Sequence, residues 1–164
     1  MVRDFVALTQ KLGFEPIILP FKPNGKAMHI KGFLTRFSKT AKTQAEFLNR
    51  VAKLNMPLVG VDPAIVLSYR DEYKEALGDS RGDFHVLTAH EWLTNQLESN
   101  ALQSAVKNIV KSDRTFEWHL FPHCTESTFM PNSPKEWQSI FAQFGQTLKV
   151  AKVGCCGMAG VFGH

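Results

Sequence analysis

The residues in this sequence best suited to bond-making chemistry are three thiols: Cys124 in "FPHCTES", and the adjacent pair Cys155 and Cys156 in "VGCCGMAGVFGH". Thiolate is the natural protein ligand for zinc and for iron–sulfur clusters. Cys155 follows Cys124 by about thirty residues, so the three can share a metal only if folding brings two separate loops together. Adjacent cysteines point to opposite sides of an extended chain. Gly154 and Gly157, on either side of the pair, permit the sharp turn that would aim both thiols at one metal. Two other readings stay open. A free cysteine is often only a small buried hydrophobe. Cys155 and Cys156 could also form a strained vicinal disulfide or act as a thiol pair, which would need a lowered thiol pKa. An odd cysteine count, with no secretory leader in "MVRDFVALTQKLGF", argues against a disulfide framework and for a reducing compartment.

Other polar residues are weaker candidates. His123 adjoins Cys124 and is a possible further metal ligand. Asn24, Lys26 and His29 cluster in "PNGKAMHIKG", where Lys26 could hold a substrate carboxylate and His29 could shuttle a proton near neutral pH. The plainer reading of that stretch is a turn with Asn-Gly geometry and a solvated lysine. Asp62, directly before Pro63, reads as a helix cap, and Glu126 as a cap or an orienting group. His85, His90 and His119 read as structural, and Trp118 and Trp137 as core. No Ser/His/Asp triad, phosphate loop or dinucleotide fingerprint is present, so no catalytic residue is nominated.

The elements that must position these groups alternate in type. Residues 4–12 read as a helix that Gly13 ends, "EPIILP" (15–20) as a buried strand, and "KTQAEFLNRVAKLN" as a helix starting at Thr40. A strand at 57–61 leads to a helix with Pro63 in its first turn. A strand at 84–88 leads to the helix "AHEWLTNQL", and "ALQSAVKNIVK" has a helical pattern. After a strand at 115–121, Ser133, Pro134 and Glu136 form a capping box for a helix that Gly145 stops, and 147–153 is the last strand. Strand–helix alternation predicts an α/β fold with a largely parallel sheet flanked by helices. In such a sheet the loops after the strands share one rim, where ligands bind. The peptides "FKPNGK", "DPA", "PHCTES" and "GCCGMAG" would then gather there.

A single shift of the chain lays Gly13 on Gly145 and Gly25 on Gly157, and a second lays Ala64 on Cys124. This suggests two degenerate pseudo-repeats within one domain of 164 residues, the first (about 1–80) without thiols and the second (about 81–164) with all three.

A cysteine followed about thirty residues later by Cys-Cys-Gly resembles the first part of the cysteine-rich CCG motif. That motif occurs in heterodisulfide reductase, glycolate oxidase and anaerobic glycerol-3-phosphate dehydrogenase subunits. More specifically, "PFKPNGKAMHIKGFLTRF", "VGVDPAIVLSYRDEYK", "FEWHLFPHCTEST" and "VGCCGMAGVFGH" together resemble the C-terminal region of large bacterial FAD-linked oxidases. Those proteins are similar to D-lactate and D-2-hydroxyglutarate dehydrogenases and carry a fused iron–sulfur module. The resemblance covers almost the whole chain. It implies a C-terminal piece of a larger flavoprotein, with FAD and ferredoxin-like domains upstream and a short tail beyond His164. It also implies an electron-transfer accessory role without activity in isolation, and Cys124, Cys155 and Cys156 as ligands of an iron–sulfur cluster (a 4Fe–4S cluster among them) or of zinc. The family motif continues with a Cys-x-x-Cys that this chain does not reach, and "PNG" stands where an earlier copy would have cysteines. A fourth ligand would come from His123, His164, the tail or substrate. A redox-inert docking module, with zinc or no metal, is the competing class.

Composition excludes other functions. The net charge is +4, and acids and bases interleave in "SYRDEYKEALGDSRGD", which is not a nucleic-acid groove. No apolar run approaches the roughly eighteen residues of a membrane span. The expected location is cytoplasmic, or peripheral at the inner membrane face.

Overall fold

The computed structural model describes residues 1–98, 102–109, 116–152 and Gly154. They form two compact units: Met1–Leu19 with Thr88–Val153, and a second built on Pro20–Leu87.

The first unit begins with α1 (Val2–Lys11), which stops at Gly13 as expected. Its later helices are α6 (Ala89–Leu97), α7 (Gln103–Ile109), α8 (Cys124–Phe129) and α9 (Ser133–Gln143). Trp92 of α6 takes the edges of Phe5 and Phe14 at 5.7 and 5.0 Å between ring centroids. Leu12, Leu93, Leu97, Leu102, Val106, Ile140 and Leu148 are also buried there. Strands β3 (Glu117–Leu120) and β4 (Thr147–Val150) pair in parallel, from Glu117 opposite Thr147 to Leu120 opposite Val150. Parallel neighbours need a crossover, and here α8 and α9 supply it. Side chains alternate along a strand. Trp118 and Leu148 therefore share the face on which Trp118 meets Phe141 of α9 at 6.0 Å. Glu117 and Lys149 share the opposite face and pair at 2.7 Å.

The second unit holds α2 (Lys26–Ile30), α3 (Leu34–Ala52), β1 (Leu58–Gly60), α4 (Pro63–Arg70), α5 (Glu72–Leu77), a 3-10 turn (Gly78–Arg81) and most of β2 (Val86–Thr88), which pairs with β1. The buried stripe of α3 is Phe37, Ala41, Gln44, Ala45 and Leu48, the spacing of one helix face. Asp62 caps α4 through Oδ1, accepting from Ala64 N and Ile65 N, with Pro63 first in the helix as expected. Arg81, half-buried, ties the end of α4 to the turn before β2. Its guanidinium donates to the carbonyls of Tyr69, Gly82 and Phe84 at 2.8, 2.9 and 3.0 Å and lies 4.0 Å over the Phe84 ring.

The α/β class stands, but the strands form two separate two-stranded sheets among the described residues. The strand expected at 15–20 is not formed. Pro16 and Pro20 remove backbone donors from that run, and Ile17 and Ile18 are 68% and 69% exposed. The helix expected from Thr40 starts six residues earlier, at Leu34. Ser133 is not the N-cap of α9 but its first residue; Asn132 precedes it and makes no side-chain cap. Trp118, expected in the core, is 47% exposed although it lies on the face towards α9, because β3 has β4 on one side and no other strand beside it among the described residues. No helix among the described residues is long and apolar enough to cross a membrane.

Candidate functional site

The thiol of Cys124 sits where β3 gives way to α8. His123 is the N-cap, extended at φ −66° and ψ 134°, and makes no side-chain cap; Cys124 follows as the first helical residue, free and exposed. The turn is closed by Ser127 N donating to His123 O at 2.8 Å and by Thr128 Oγ1 donating to Cys124 O at 2.9 Å.

The expectation of a shared rim holds for these two strands. The Leu120–Val150 register is extended by Ala151 N donating to Leu120 O at 2.9 Å. The peptides leaving β3 and β4 therefore start side by side, one running to Cys124 and the other towards Gly154. Cys155, Cys156 and His164 lie outside the described residues. Among the described residues no three His, Cys, Asp or Glu side chains group closely enough to hold a metal.

Behind Cys124 is a polar network that the sequence reading missed. Glu126, the third residue of α8, is turned inward and buried. Its Oε1 accepts from the Ser133 hydroxyl and, at 3.3 Å, from the Trp137 indole N–H. His90, 1% exposed, places Nδ1 3.3 Å from the same oxygen and 3.0 Å from Thr88 Oγ1, while its Nε2 lies 3.2 Å from Glu136 Oε2. Thr88 also caps α6 in a capping box with Glu91. That Thr-x-x-Glu spacing was the signal available: it puts His90 in the first turn of a helix.

The second polar cluster lies in the other unit, in the turn before α2. Gly25 is its N-cap at φ +82°, a left-handed conformation glycine adopts without penalty. Even without that φ the site is closed to a side chain, because a Cβ there would come within 2.9 Å of the Phe37 ring. Asn24 Oδ1 accepts from Lys26 N at 2.9 Å, and the Asn24 carbonyl accepts from the Tyr73 hydroxyl at 2.6 Å. Lys26 is not a solvated lysine: its ammonium donates to Glu72 Oε1. His29 Nδ1 lies 3.8 Å from the same oxygen, and its ring packs 4.8 Å from that of Phe37. Glu72 Oε2 is buried without a hydrogen-bond partner among the described residues. Burial raises the Tyr73 phenol far above its ordinary range, with the nearby Tyr69 and Glu72 adding to the rise. The sequence pointed to Asn24, Lys26 and His29 but not to Glu72, which is distant along the chain.

His85 and His119 are exposed; His119 lies 3.5 Å from Glu117 on the open face of β3. Among the described residues, neither groups with the other candidate site residues.

The chain is 79% identical over 164 residues to the D-2-hydroxyglutarate dehydrogenase of Haemophilus influenzae, matching all of this chain and 16% of that protein. Over the same 164 residues it is 58% identical to the D-2-hydroxyglutarate dehydrogenase of Escherichia coli and 38% identical to that of Pseudomonas putida, covering 15% of each. No family model and no solved structure matches it. From its first residue to its last, the chain is similar to one region, about a sixth in length, of dehydrogenases that carry this name.

Proposed function

We propose that the chain is the electron-transfer accessory region of an FAD-linked D-2-hydroxyglutarate dehydrogenase, with Cys124, Cys155 and Cys156 as ligands of an iron–sulfur cluster. The observation that carries the reading is identity of 79% and 58%, over the whole of this chain, to a small part of two enzymes of that name. A region of that share has no room for a flavin fold beside its own two units, so its contribution is accessory.

The donor chemistry fits the cluster. Cys124 offers an exposed, free thiol, sulfur is the ligand such clusters require, and the parallel register sends the β3 and β4 peptides out together. The cluster would supply one-electron carriage between reduced flavin and an acceptor. The residues of this chain hold it and set its surroundings. His123, exposed beside Cys124, is the fourth-ligand candidate on the chain's described part. In the same reading Lys26 and His29 form a polar contact for substrate or for the neighbouring part of the polypeptide. A carboxylate arriving at Lys26 would compete with Glu72 for the ammonium.

The test is made in the full-length polypeptide. D-2-hydroxyglutarate is added anaerobically to wild type and to Cys124→Ser, and flavin bleaching is followed separately from reduction of a one-electron acceptor. The reading expects bleaching in both and acceptor reduction in wild type alone. Equal acceptor reduction in both would overturn it.

A further inference from the structure

The helix that carries Cys124 is held in an unusual way. α8 has six residues, too few to be stable by itself in water. Its sole buried side chain is Glu126; Phe129, the large apolar residue of the helix, is 62% exposed. Apolar packing therefore does not fix α8. A carboxylate does, and a buried carboxylate is tolerated only when its oxygens are well supplied with donors.

The donors come from α9: Ser133 Oγ and Trp137 Nε1 both donate to Glu126 Oε1, and His90 Nδ1 of α6 lies 3.3 Å from the same oxygen. His90 is itself locked, with Thr88 Oγ1 at Nδ1 and Glu136 Oε2 at Nε2. Buried networks of this kind rigidify what they join when every member is satisfied. Two residues before Glu126 in the same short helix stands Cys124.

We infer that Glu126 and His90 are positioning residues for the Cys124 thiol. Their buried hydrogen-bond network fixes α8, and α8 presents the thiol to the cluster. The inference rests on the proposed function for what the thiol binds, but the fixing of α8 is testable without it.

The experiment uses the full-length polypeptide as wild type, Glu126→Ala and Glu126→Gln, with thermal unfolding as the check on folding. Hydrogen–deuterium exchange is measured in peptides spanning residues 121–131 before metal is supplied. Iron and sulfide are then added, and cluster content and the electron paramagnetic resonance line shape are recorded. Losing charge-assisted hydrogen bonds should speed exchange of the Ser127 and Met130 amides by at least about tenfold in Glu126→Ala. Peptides of α1 and β4 should be unchanged, and cluster content should fall. Glu126→Gln keeps an acceptor for Ser133 and Trp137 and should fall between the two, which preserves the test if the alanine variant does not fold. Unchanged exchange in α8 overturns the inference. Faster exchange with full cluster content and an unaltered line shape overturns the positioning role and leaves the proposed function standing. A wild type that takes up no cluster overturns both.

Discussion

Replacing Tyr73 by phenylalanine tests how the turn bearing Lys26 is held. The Tyr73 side chain is fully buried, and its hydroxyl donates to the Asn24 carbonyl at 2.6 Å. Phenylalanine keeps the ring contacts with Phe37 and Tyr69 and removes only this bond. A neutral hydrogen bond contributes about 1 kcal/mol net, and the half-buried Asn24 carbonyl is only partly resolvated, so the loss should be about 1–2 kcal/mol. The variant also carries a pH signature. Burial raises the phenols of Tyr73 and Tyr69 above their ordinary value of 10.0. Above that pH the unfolded chain releases these protons while the folded chain keeps them. The unfolded state then binds fewer protons, so stability is intact below the ordinary value and falls as pH rises past it. Each retained proton costs about 1.4 kcal/mol per pH unit in that range. Tyr73→Phe removes the more strongly shifted of the two and should make the alkaline slope shallower. Urea unfolding, followed near neutrality and at steps through the alkaline range, measures both effects. A variant with the wild-type midpoint at neutral pH and the wild-type alkaline slope would refute the argument.

Three further outcomes are expected. Gly25→Ala forces a side chain into a left-handed backbone and against Phe37, and should cost about 2 kcal/mol in the same unfolding assay. Arg81→Lys cannot serve all three carbonyls at once, and should cost about 1–3 kcal/mol by leaving part-buried acceptors unpaired. By contrast, Glu117→Gln breaks an exposed ion pair with Lys149, and its thermal midpoint should match wild type in moderate salt.

Local chemistry made some elements readable from the sequence. Gly13 and Gly145 stop their helices, Asp62 and Pro63 start one, and the strands around Glu117–Leu120 and Thr147–Val150 pair in parallel. What the sequence hid was tertiary. Phe33 precedes α3 at φ −80° and ψ 58° without a side-chain cap, so nothing local marked its start. "EPIILP" looks buried in one dimension, yet Ile17 and Ile18 are exposed. Ser133 sits in a sequence that suits a capping box, but its hydroxyl is drawn to Glu126, seven residues earlier. Glu72 joins Lys26 across forty-six positions, beyond the reach of any spacing rule. His90 resembled an ordinary structural histidine until the two carboxylates facing it were seen.

The most direct test of the central claim is metal identity. The full-length polypeptide is supplied anaerobically with iron and sulfide, and its metal content and electron paramagnetic resonance are recorded before and after reduction, alongside Cys124→Ser, Cys155→Ser and Cys156→Ser. The account predicts, beyond any cluster that survives all three changes, a reducible cluster lost in each variant. Bound zinc at these cysteines, or a reducible signal identical in wild type and all three variants, would contradict it.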